Sequence, residues 1–362
     1  MKLIDIIAGA RPNFIKVSPI IKRFKEKQKL SNSNLKFRLI HTGQHYDKKM
    51  SNDFFNQLKI PKPNINFNVG SGSQAQQTSA IMIAYEKLLL KKPSNLCLVV
   101  GDVNSTLACS ISAKKLSIPV AHVEAGLRSG DLTMPEEINR ILTDSISDLF
   151  FTTSSFANEN LIRLGVPSKN IFFVGNTMID TLKENLDNLI EPKIINKLNK
   201  KKYLVLTLHR PSNVDDIANL QSILKELSLA AKGLEILFPV HPRTAKILKR
   251  IKFMPKNIRF LDPLPYLEFI FIIKNSTAVI TDSGGITEET TYLKIPCLTL
   301  RDSTERPETI KIGTNELLGS NTNKLNFYLN KIIKGKWKKG KIPHKWDGKS
   351  SKRIVDIIEK KI

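Results

Sequence analysis

Short apolar runs rich in β-branched residues alternate with longer amphipathic segments along most of the chain. In the first half, the runs predict strands at residues 3–7, 37–41, 96–100, 119–123, 149–152 and 171–174. The segments between them predict helices, among them residues 13–27, 74–90 and 104–116. This alternation is typical of βαβ units stacked around a parallel sheet, so we expect an α/β fold.

The alternation pauses across residues 181–201, a stretch rich in lysine and asparagine, and then resumes. The later strands are predicted within the segments KYLVLTLH, LEILFPVH, IRFLDPL, TAVITDSGG and IPCLTL. We therefore predict two doubly wound, Rossmann-like domains, residues 1–180 and 200–345, that face a ligand cleft. Residues 350–362 predict a short amphipathic helix at the end of the chain.

The composition agrees with two soluble globular domains. The length of 362 residues exceeds what one ordinary core supports, and hydrophobic and charged residues make up 41% and 25% of the chain. The three cysteines lie in apolar stretches without metal-ligand spacing, so we expect reduced core residues, a cytoplasmic protein and no metal site. The first apolar run is too short for a signal peptide or a membrane span.

The formal net charge of +24 raises nucleic-acid binding as an alternative function. Much of this charge is lysine spread over predicted helix faces and over the stretch KIIKGKWKKGKIPHKW. No helix-turn-helix, zinc-finger or RNA-binding signature accompanies it, so we favour a lysine-rich surface that attracts anionic small substrates. We expect neither nucleic acid nor a membrane as a partner.

Almost every unusual polar segment follows the end of a predicted strand. In the first half these segments are AGARPNFIK, HTGQHYD, GDVNSTLA and HVEAGLRSGD, and in the second half they are LHRPSN, VHPRT, DPLPY and TDSGGITEE. Ligands of parallel α/β sheets bind beyond the carboxyl ends of the strands. The coincidence of eight such segments predicts one large polar site.

The segment TDSGGITEET runs from a strand end into a helix and is typical of an anion site. Asp282 or Ser283 can cap the helix, and the two glycines let a ligand approach the backbone. Glu289 lies about one turn inside the helix, too far to cap it, and could reach a ribose diol. A simple capped helix with a glycine turn remains the structural alternative.

Cations are available to neutralise a diphosphate at this anion site. Arg11 and Lys16 flank the first strand-to-helix turn, and Arg306 in STERPE supplies a third positive charge. Surface ion pairs are the alternative role for such arginines. Because the chain has neither a Walker loop nor a G-x-G-x-x-G fingerprint, we expect no nicotinamide cofactor.

The acidic segment AHVEAGLRSGDLTMPEEINR follows a predicted buried strand. A carboxylate at Glu124, directly after that strand, is costly unless its charge is used or paired. Glu124 is therefore either a catalytic acid or a buried ion-pair partner. Glu136 and Glu137 follow Pro135 in a predicted first helical turn, where acids commonly stabilise the helix dipole.

These segments, taken in order over about residues 3–320, closely resemble the non-hydrolysing UDP-N-acetylglucosamine 2-epimerases. The resemblance also rests on GNTMID, DPLPYLEF and RDSTERPE. It implies the GT-B fold, with the C-terminal helix, residues 350–362, packed back on the first domain. It further implies interconversion of UDP-GlcNAc and UDP-ManNAc for cell-surface polysaccharide precursors, in a cytoplasmic homodimer without a cofactor.

The resemblance also assigns residues. It places at nucleotide-binding positions Arg11, Lys16, Phe269, Ser283, Gly284, Gly285, Glu289 and Arg306. It places at positions of catalysis or sugar binding Asp102, Glu124, Glu136 and His209. Two alternatives stay open, since some relatives epimerise UDP-diacetamido uronic acids and other GT-B enzymes are UDP-sugar glycosyltransferases. The intact TERPE segment favours the plain GlcNAc group.

The chemistry of the substrate predicts an elimination. The proton at C2 of the sugar is not acidic, so UDP must leave from C1 as C2–H is lost, giving a 2-acetamidoglucal. Proton transfer at the two faces of C2 needs two groups, for which we favour Asp102 and Glu124. Burial should raise one carboxyl pKa, while Arg128 or Arg140 holds the other low. His209 could donate to the departing phosphate.

Overall fold

The computed structural model describes residues 1–29, 34–43, 57–198, 202–251, 255–319 and 323–362. The chain divides into two compact units. The first comprises residues 1–184 and 344–362, and the second comprises residues 185–343. Among the described residues, no helix has both the length and the apolar character needed to cross a bilayer.

The first unit is built on a parallel sheet. Its strands are β1 (Lys2–Ala8), β2 (Leu35–His41), β3 (Ile65–Asn66), β4 (Leu96–Val100), β5 (Val120–Val123), β6 (Leu149–Thr152) and β7 (Ile171–Phe173). The intervening helices are α1 (Arg11–Gln28), α2 (Gln74–Lys91), α3 (Asn104–Lys115), α4 (Pro135–Ile146), α5 (Ser155–Arg163) and α6 (Thr177–Asn185). The central strands are buried along their whole length, as expected for a parallel sheet covered on both faces.

The strand order in this sheet is β3-β2-β1-β4-β5-β6-β7 among the described residues. The chain therefore starts in the middle, winds outward on one side, and returns to wind outward on the other. Right-handed crossovers then place helices on both faces. The loops after β1 and β4 diverge at the point where the order reverses, which is where doubly wound sheets bind their ligands.

The second unit repeats this plan, with the order β10-β9-β8-β11-β12-β13 in its described residues. Its strands are β8 (Tyr203–Thr207), β9 (Glu235–Pro239), β10 (Ile258–Leu261), β11 (Ala278–Thr281), β12 (Cys297–Thr299) and β13 (Asn315–Leu317). Its helices are α7 (Pro211–Val214), α8 (Ile217–Ala230), α9 (Pro242–Leu248), α10 (Tyr266–Lys274), α11 (Gly284–Leu293), α12 (Pro307–Lys311) and α13 (Asn323–Ile333). Here the order reverses between β8 and β11.

The last helix, α14 (Ser350–Lys361), belongs to the first unit and contacts α1. Lys27 on α1 pairs with Glu359 at 2.5 Å and with Asp356 at 3.2 Å. The carboxylate of Asp180 accepts hydrogen bonds from the first two backbone N–H groups of α14, at 3.1 and 2.7 Å. An acid at a helix N-terminus both satisfies these donors and matches the helix dipole.

The α/β class and the two doubly wound parallel sheets are confirmed. Strands β4 and β6 have the predicted bounds, and the other four predicted strands of the first half differ from theirs by one or two residues at either end. Strands β3 and β13 were not predicted, because two or three residues are too few to give a periodic signal.

Candidate active site

The carboxylate of Glu124 lies at the carboxyl edge of the first sheet, where β5 ends. Glu124 is 2% exposed, and its Oε2 lies 2.5 Å from Nζ of Lys16. Gly101 lies beside this pair, and a Cβ there would be 3.3 Å from the lysine nitrogen and 3.6 Å from Oε2. The pairing of Lys16 with Glu124 was not predicted, because Lys16 was expected at a diphosphate.

The backbone of Glu124 is itself unusual, with φ at +69°. Side chains other than glycine rarely adopt this left-handed region, and residues that do are enriched at functional sites. Two hydrogen bonds hold the turn, since the N–H groups of Glu124 and Ala125 both donate to the carbonyl of Phe151, at 3.0 and 3.2 Å. The turn therefore fixes the carboxylate against Lys16.

Asp102 follows β4 and is held by helix α4. Arg140 donates to Oδ2 of Asp102 through Nε at 3.0 Å and Nη2 at 2.7 Å, and its Nη1 contacts Glu137. The side chain of Asp102 is 29% exposed, whereas that of Arg140 is only 3% exposed. Asp102 is thus an ion-paired carboxylate that solvent or a ligand can reach.

Glu136 is exposed on α4, while the neighbouring Glu137 is buried. Glu137 accepts hydrogen bonds from the N–H groups of Ser129 and Gly130 at about 3 Å. Burial opposes its ionisation, but these hydrogen bonds and the pairing with Arg140 outweigh it and lower the pKa of Glu137. The sequence reasoning missed this role of Glu137, which anchors the arginine that holds Asp102.

A second buried cluster lies directly behind these groups. His122 on β5 contacts Asp144 through Nδ1 at 2.8 Å and the carbonyl of Gly101 through Nε2 at 2.9 Å. Asp144 also pairs with Arg128 at 2.7 Å. Of the two arginines predicted to hold one of the acids, Arg140 thus pairs with Asp102 and Arg128 pairs with Asp144. The signal that could have found the cluster is the spacing of Glu137, Arg140 and Asp144, which places them on one face of α4.

In the second unit, His209 follows β8 and pairs with Asp282, which follows β11. The distance from Nδ1 of His209 to Oδ1 of Asp282 is 2.8 Å. The same carboxylate accepts from the backbone N–H groups of His209 and Arg210 and from the amide of Asn213. Burial raises the pKa of Asp282, but these donors, His209 first among them, outweigh it and lower the pKa.

The expected side-chain cap of α11 is wrong. Ser283 is the N-cap residue but its side chain makes no capping hydrogen bond, and Asp282 is engaged with His209 instead. Gly284 begins the helix, and a Cβ there would lie 2.8 Å from Oε1 of Glu305, which is ion-paired with Arg301 at 2.8 Å. A larger residue at Gly284 would therefore have to displace the carboxylate of Glu305 from the helix start.

Glu289 is a fully buried carboxyl whose Oε1 accepts from the hydroxyl of Tyr266 at 3.1 Å. Burial and, to a smaller extent, the adjacent Glu288 raise its pKa to about 8, against the lowering effect of Tyr266. Phe269 lies on α10, one turn after Tyr266, and is half-buried. Glu289 is therefore protonated in part at neutral pH and can donate as well as accept.

Arg306 is buried and pairs with Glu288 on α11. The pairing ties the loop after β12 to the helix whose N-terminus is the predicted anion site. Arg11 begins α1, but its side chain lies outside the described residues, as do residues 44–47 of the HTGQHYD segment. The described residues contain no group of three or more His, Cys, Asp or Glu side chains arranged to hold a metal ion.

Comparison with known proteins now adds to this geometry. The family model for UDP-N-acetylglucosamine 2-epimerase matches residues 28–359. This chain belongs to the UDP-N-acetylglucosamine 2-epimerase family. A relative named UDP-N-acetylglucosamine 2-epimerase from Methanocaldococcus jannaschii is 43% identical over 374 aligned residues, which cover 99% of each chain. The resemblance inferred from the sequence motifs is confirmed.

Solved structures of the family have the same fold. The M. jannaschii UDP-GlcNAc 2-epimerase in complex with UDP-GlcNAc and UDP has a TM-score of 0.88, with 42% identity and 99% coverage of both chains. The Neisseria meningitidis enzyme bound to UDP-GlcNAc has a TM-score of 0.87 and 30% identity, covering 99% of this chain and 100% of that one. This GT-B-type fold extends to an outer-core galactosyltransferase with a TM-score of 0.56, but at 14% identity that likeness concerns the fold alone.

One relative in the same family differs in substrate. It is a UDP-2,3-diacetamido-2,3-dideoxy-D-glucuronate 2-epimerase from Pseudomonas aeruginosa, 40% identical over 323 residues, which cover 88% of this chain and 89% of that protein. Epimerisation at C2 is therefore common to these relatives, and the substituents of the sugar vary among them.

Proposed function

We propose that this protein interconverts UDP-GlcNAc and UDP-ManNAc by eliminating UDP and adding it back. The observation that carries the proposal is the pair of acids at one edge of the first sheet, Glu124 paired with Lys16 and Asp102 paired with Arg140. Two carboxylates held separately by two cations suit a reaction that moves protons at two faces of one carbon. Membership of the 2-epimerase family supports the same reaction.

The elimination balances without a redox partner. The C1–O bond breaks with its electron pair leaving on UDP, a carboxylate takes the C2 proton, and the C–H electrons form the C1–C2 double bond. In the return step the second acid delivers a proton to the opposite face of C2, and a UDP oxygen attacks C1. We assign these proton transfers to Glu124 and Asp102, because both lie at the strand ends and each is paired with a cation.

The nucleotide is assigned to residues of the second unit. Ser283, Gly284 and Gly285 stand at the N-terminus of α11, where backbone N–H groups and the helix dipole favour a diphosphate. Asp282 fixes His209 with Nδ1 as the hydrogen-bond donor, so that Nε2 can act on the departing phosphate. The ribose and base are assigned to the same unit.

We assign the ribose to Glu289 and the base to Phe269. Arg306 supports the helix start through Glu288. Lys16 and Arg11 are assigned to the diphosphate, and Glu136 to the sugar, on the strength of the family motif.

Incubation of the purified protein with UDP-GlcNAc in heavy water tests the reaction. The proposal predicts deuterium at C2 of both recovered nucleotide sugars. It predicts no product in which the sugar has been transferred to an acceptor. Asp102→Asn and Glu124→Gln should each lower the exchange rate by about 10²–10⁴-fold. Asp131→Asn, which removes a charge from a local turn with Thr133, is the matched control and should exchange at the wild-type rate. Wild-type exchange in both acid variants would refute the assignment.

A second candidate substrate is supported by the P. aeruginosa relative. We infer that a UDP-diacetamido uronic acid could occupy the same site, since the elimination involves only C1 and C2. Comparison of kcat/KM for this compound and for UDP-GlcNAc decides between them. A higher value for the uronic acid would transfer the main assignment to that substrate.

We also propose that the protein is a cytoplasmic homodimer. Its three cysteines are free and buried, which is typical of a reducing compartment. Ile138 and Leu142 on α4 are 40% and 44% exposed, which suits a face that a second copy covers. Light scattering coupled to gel filtration measures the state directly, and Leu142→Glu should shift it toward the monomer.

A further inference from the structure

His122 occupies an unusual position between two loops of the first unit. It lies on β5, two residues before Glu124, and none of its surface is exposed. Its Nε2 lies 2.9 Å from the carbonyl oxygen of Gly101, the residue before Asp102. Its Nδ1 lies 2.8 Å from Oδ1 of Asp144 on α4. The proposed mechanism uses both loops but assigns no role to this ring.

The partners of the ring determine where its protons are. A backbone carbonyl can only accept, so Nε2 must carry a proton. Asp144 accepts from the N–H of Gly126 at 3.1 Å and from Arg128 at 2.7 Å, both through Oδ2, so it is an ionised carboxylate. Nδ1 of His122 therefore also faces an acceptor and must carry a proton.

The same contacts connect the ring to both proposed proton-transfer groups. His122 holds the carbonyl of Gly101 and thereby the start of the Asp102 loop. Through Asp144 it also holds the N–H of Gly126, two residues after Glu124. Arg140, one turn before Asp144 on α4, donates a hydrogen bond to the carboxylate of Asp102. One helix face and one ring thus set the spacing of the two acids.

We propose that His122 is a positioning residue, which donates from both ring nitrogens and so holds the loops of Asp102 and Glu124 in register for the reaction. The kinetic consequence of this inference rests on the proposed function. The hydrogen bonds that the ring of His122 donates do not depend on that function. The charged and titratable groups that face the ring are Asp144, on α4, and beyond it Arg128. A small shift of either acid would misalign proton transfer, and displacements of about 1 Å can lower rates about 100-fold.

Nitrogen-15 NMR of ring-labelled histidine in the wild-type protein tests the protonation state. We expect both ring nitrogens of His122 to bear hydrogen, because each of them faces an acceptor. The signal is assigned by its absence in His122→Gln or, if that variant does not fold, by replacing the other five histidines in turn. A bare nitrogen in His122 would overturn the inference.

Steady-state kinetics test the positioning role. His122→Gln removes the charge and can donate to only one of the two acceptors, so kcat should fall about 100-fold. The KM for UDP-GlcNAc should stay unchanged, because the nucleotide is assigned to the second unit. His344→Gln, an exposed histidine packed on Phe173, is the matched control and should keep the wild-type kcat. A folded His122→Gln enzyme with wild-type kcat would refute the role.

The two failures are distinguishable. If the wild-type protein does not epimerise UDP-GlcNAc, the proposed function fails, and the NMR measurement still decides the state of His122. If the protein epimerises but His122 carries one bare nitrogen, the further inference alone fails.

Discussion

Replacement of Glu289 by glutamine tests the most perturbed carboxyl of the second unit. Glutamine has the shape of the protonated acid and can still accept from the hydroxyl of Tyr266. The variant therefore removes the titration of the group and little else. In the unfolded chain the carboxyl ionises near its ordinary pKa of 4.5, whereas in the folded protein its pKa is about 8.

The sign and size of the effect follow from these two values. Between pH 4.5 and pH 8 the folded state holds a proton that the unfolded state has lost, so raising the pH favours unfolding. The free energy of unfolding should fall by about 1.4 kcal/mol per pH unit from this site. The whole interval amounts to about 5 kcal/mol. Glu289→Gln lacks this loss and should become progressively more stable than wild type up to pH 8.

Urea unfolding at several pH values measures the difference. Fluorescence of Trp337 reports the second unit in a Trp346→Phe background, because Trp346 lies in the first unit. Glu226→Gln on α8 serves as the control for loss of one glutamate and should show no such trend. A stability difference between wild type and Glu289→Gln that is constant from pH 5 to pH 9 would refute the reasoning.

Two further predictions follow from buried ion pairs. Asp282→Asn removes the charge that orients His209, so we expect kcat for epimerisation to fall about 100-fold. Circular dichroism should show that the fold is intact. An unchanged kcat would contradict the assigned role of His209. Arg38 donates two hydrogen bonds of 2.7 Å to the carboxylate of Asp5. Arg38→Leu leaves this buried carboxylate without its cation and should lower the free energy of unfolding in urea by about 3–5 kcal/mol. Asp5→Leu combined with Arg38→Leu should recover part of that loss, and a double variant no more stable than the single one would contradict this account.

The sequence predicted the sheets well where a central strand is an uninterrupted apolar run. Strands β4 and β6 are of this kind, and their predicted bounds match. The polar segments at strand ends were also visible without a structure. Parallel topology alone brings such segments to one edge within each unit, so the acids of the first unit and the helix N-terminus of the second could be grouped in advance.

The partners of these residues could not be predicted in the same way. Glu136 and Glu137 are neighbours in sequence, but they point about 100° apart on a helix, and only Glu137 is buried. Helix α4 buries Glu137, Arg140 and Asp144 and leaves Ile138 and Leu142 exposed, which reverses the usual amphipathic rule. Charge pairing across loops drives this reversal. The spacing of the three charged residues places them on one helix face, but it does not show that this face is the buried one.

The same limit explains the error at the start of α11. Asp282 has a residue type and position suited to capping. The loop after β8, however, offers its carboxylate the backbone N–H groups of His209 and Arg210, the amide of Asn213 and the ring of His209. A long-range competitor of this kind is invisible in a local motif. Only the strand order, which places β8 beside β11, makes it available.

The left-handed backbone at Glu124 has an evolutionary consequence. A glycine at this position would relax the turn by about 1–2 kcal/mol. It would also leave the ammonium of Lys16 without its carboxylate, which costs about 3–5 kcal/mol for a buried pair. Selection for thermal resistance therefore acts in the same direction as selection for turnover, and laboratory evolution of the protein for heat tolerance, without a screen for activity, should leave this codon unchanged.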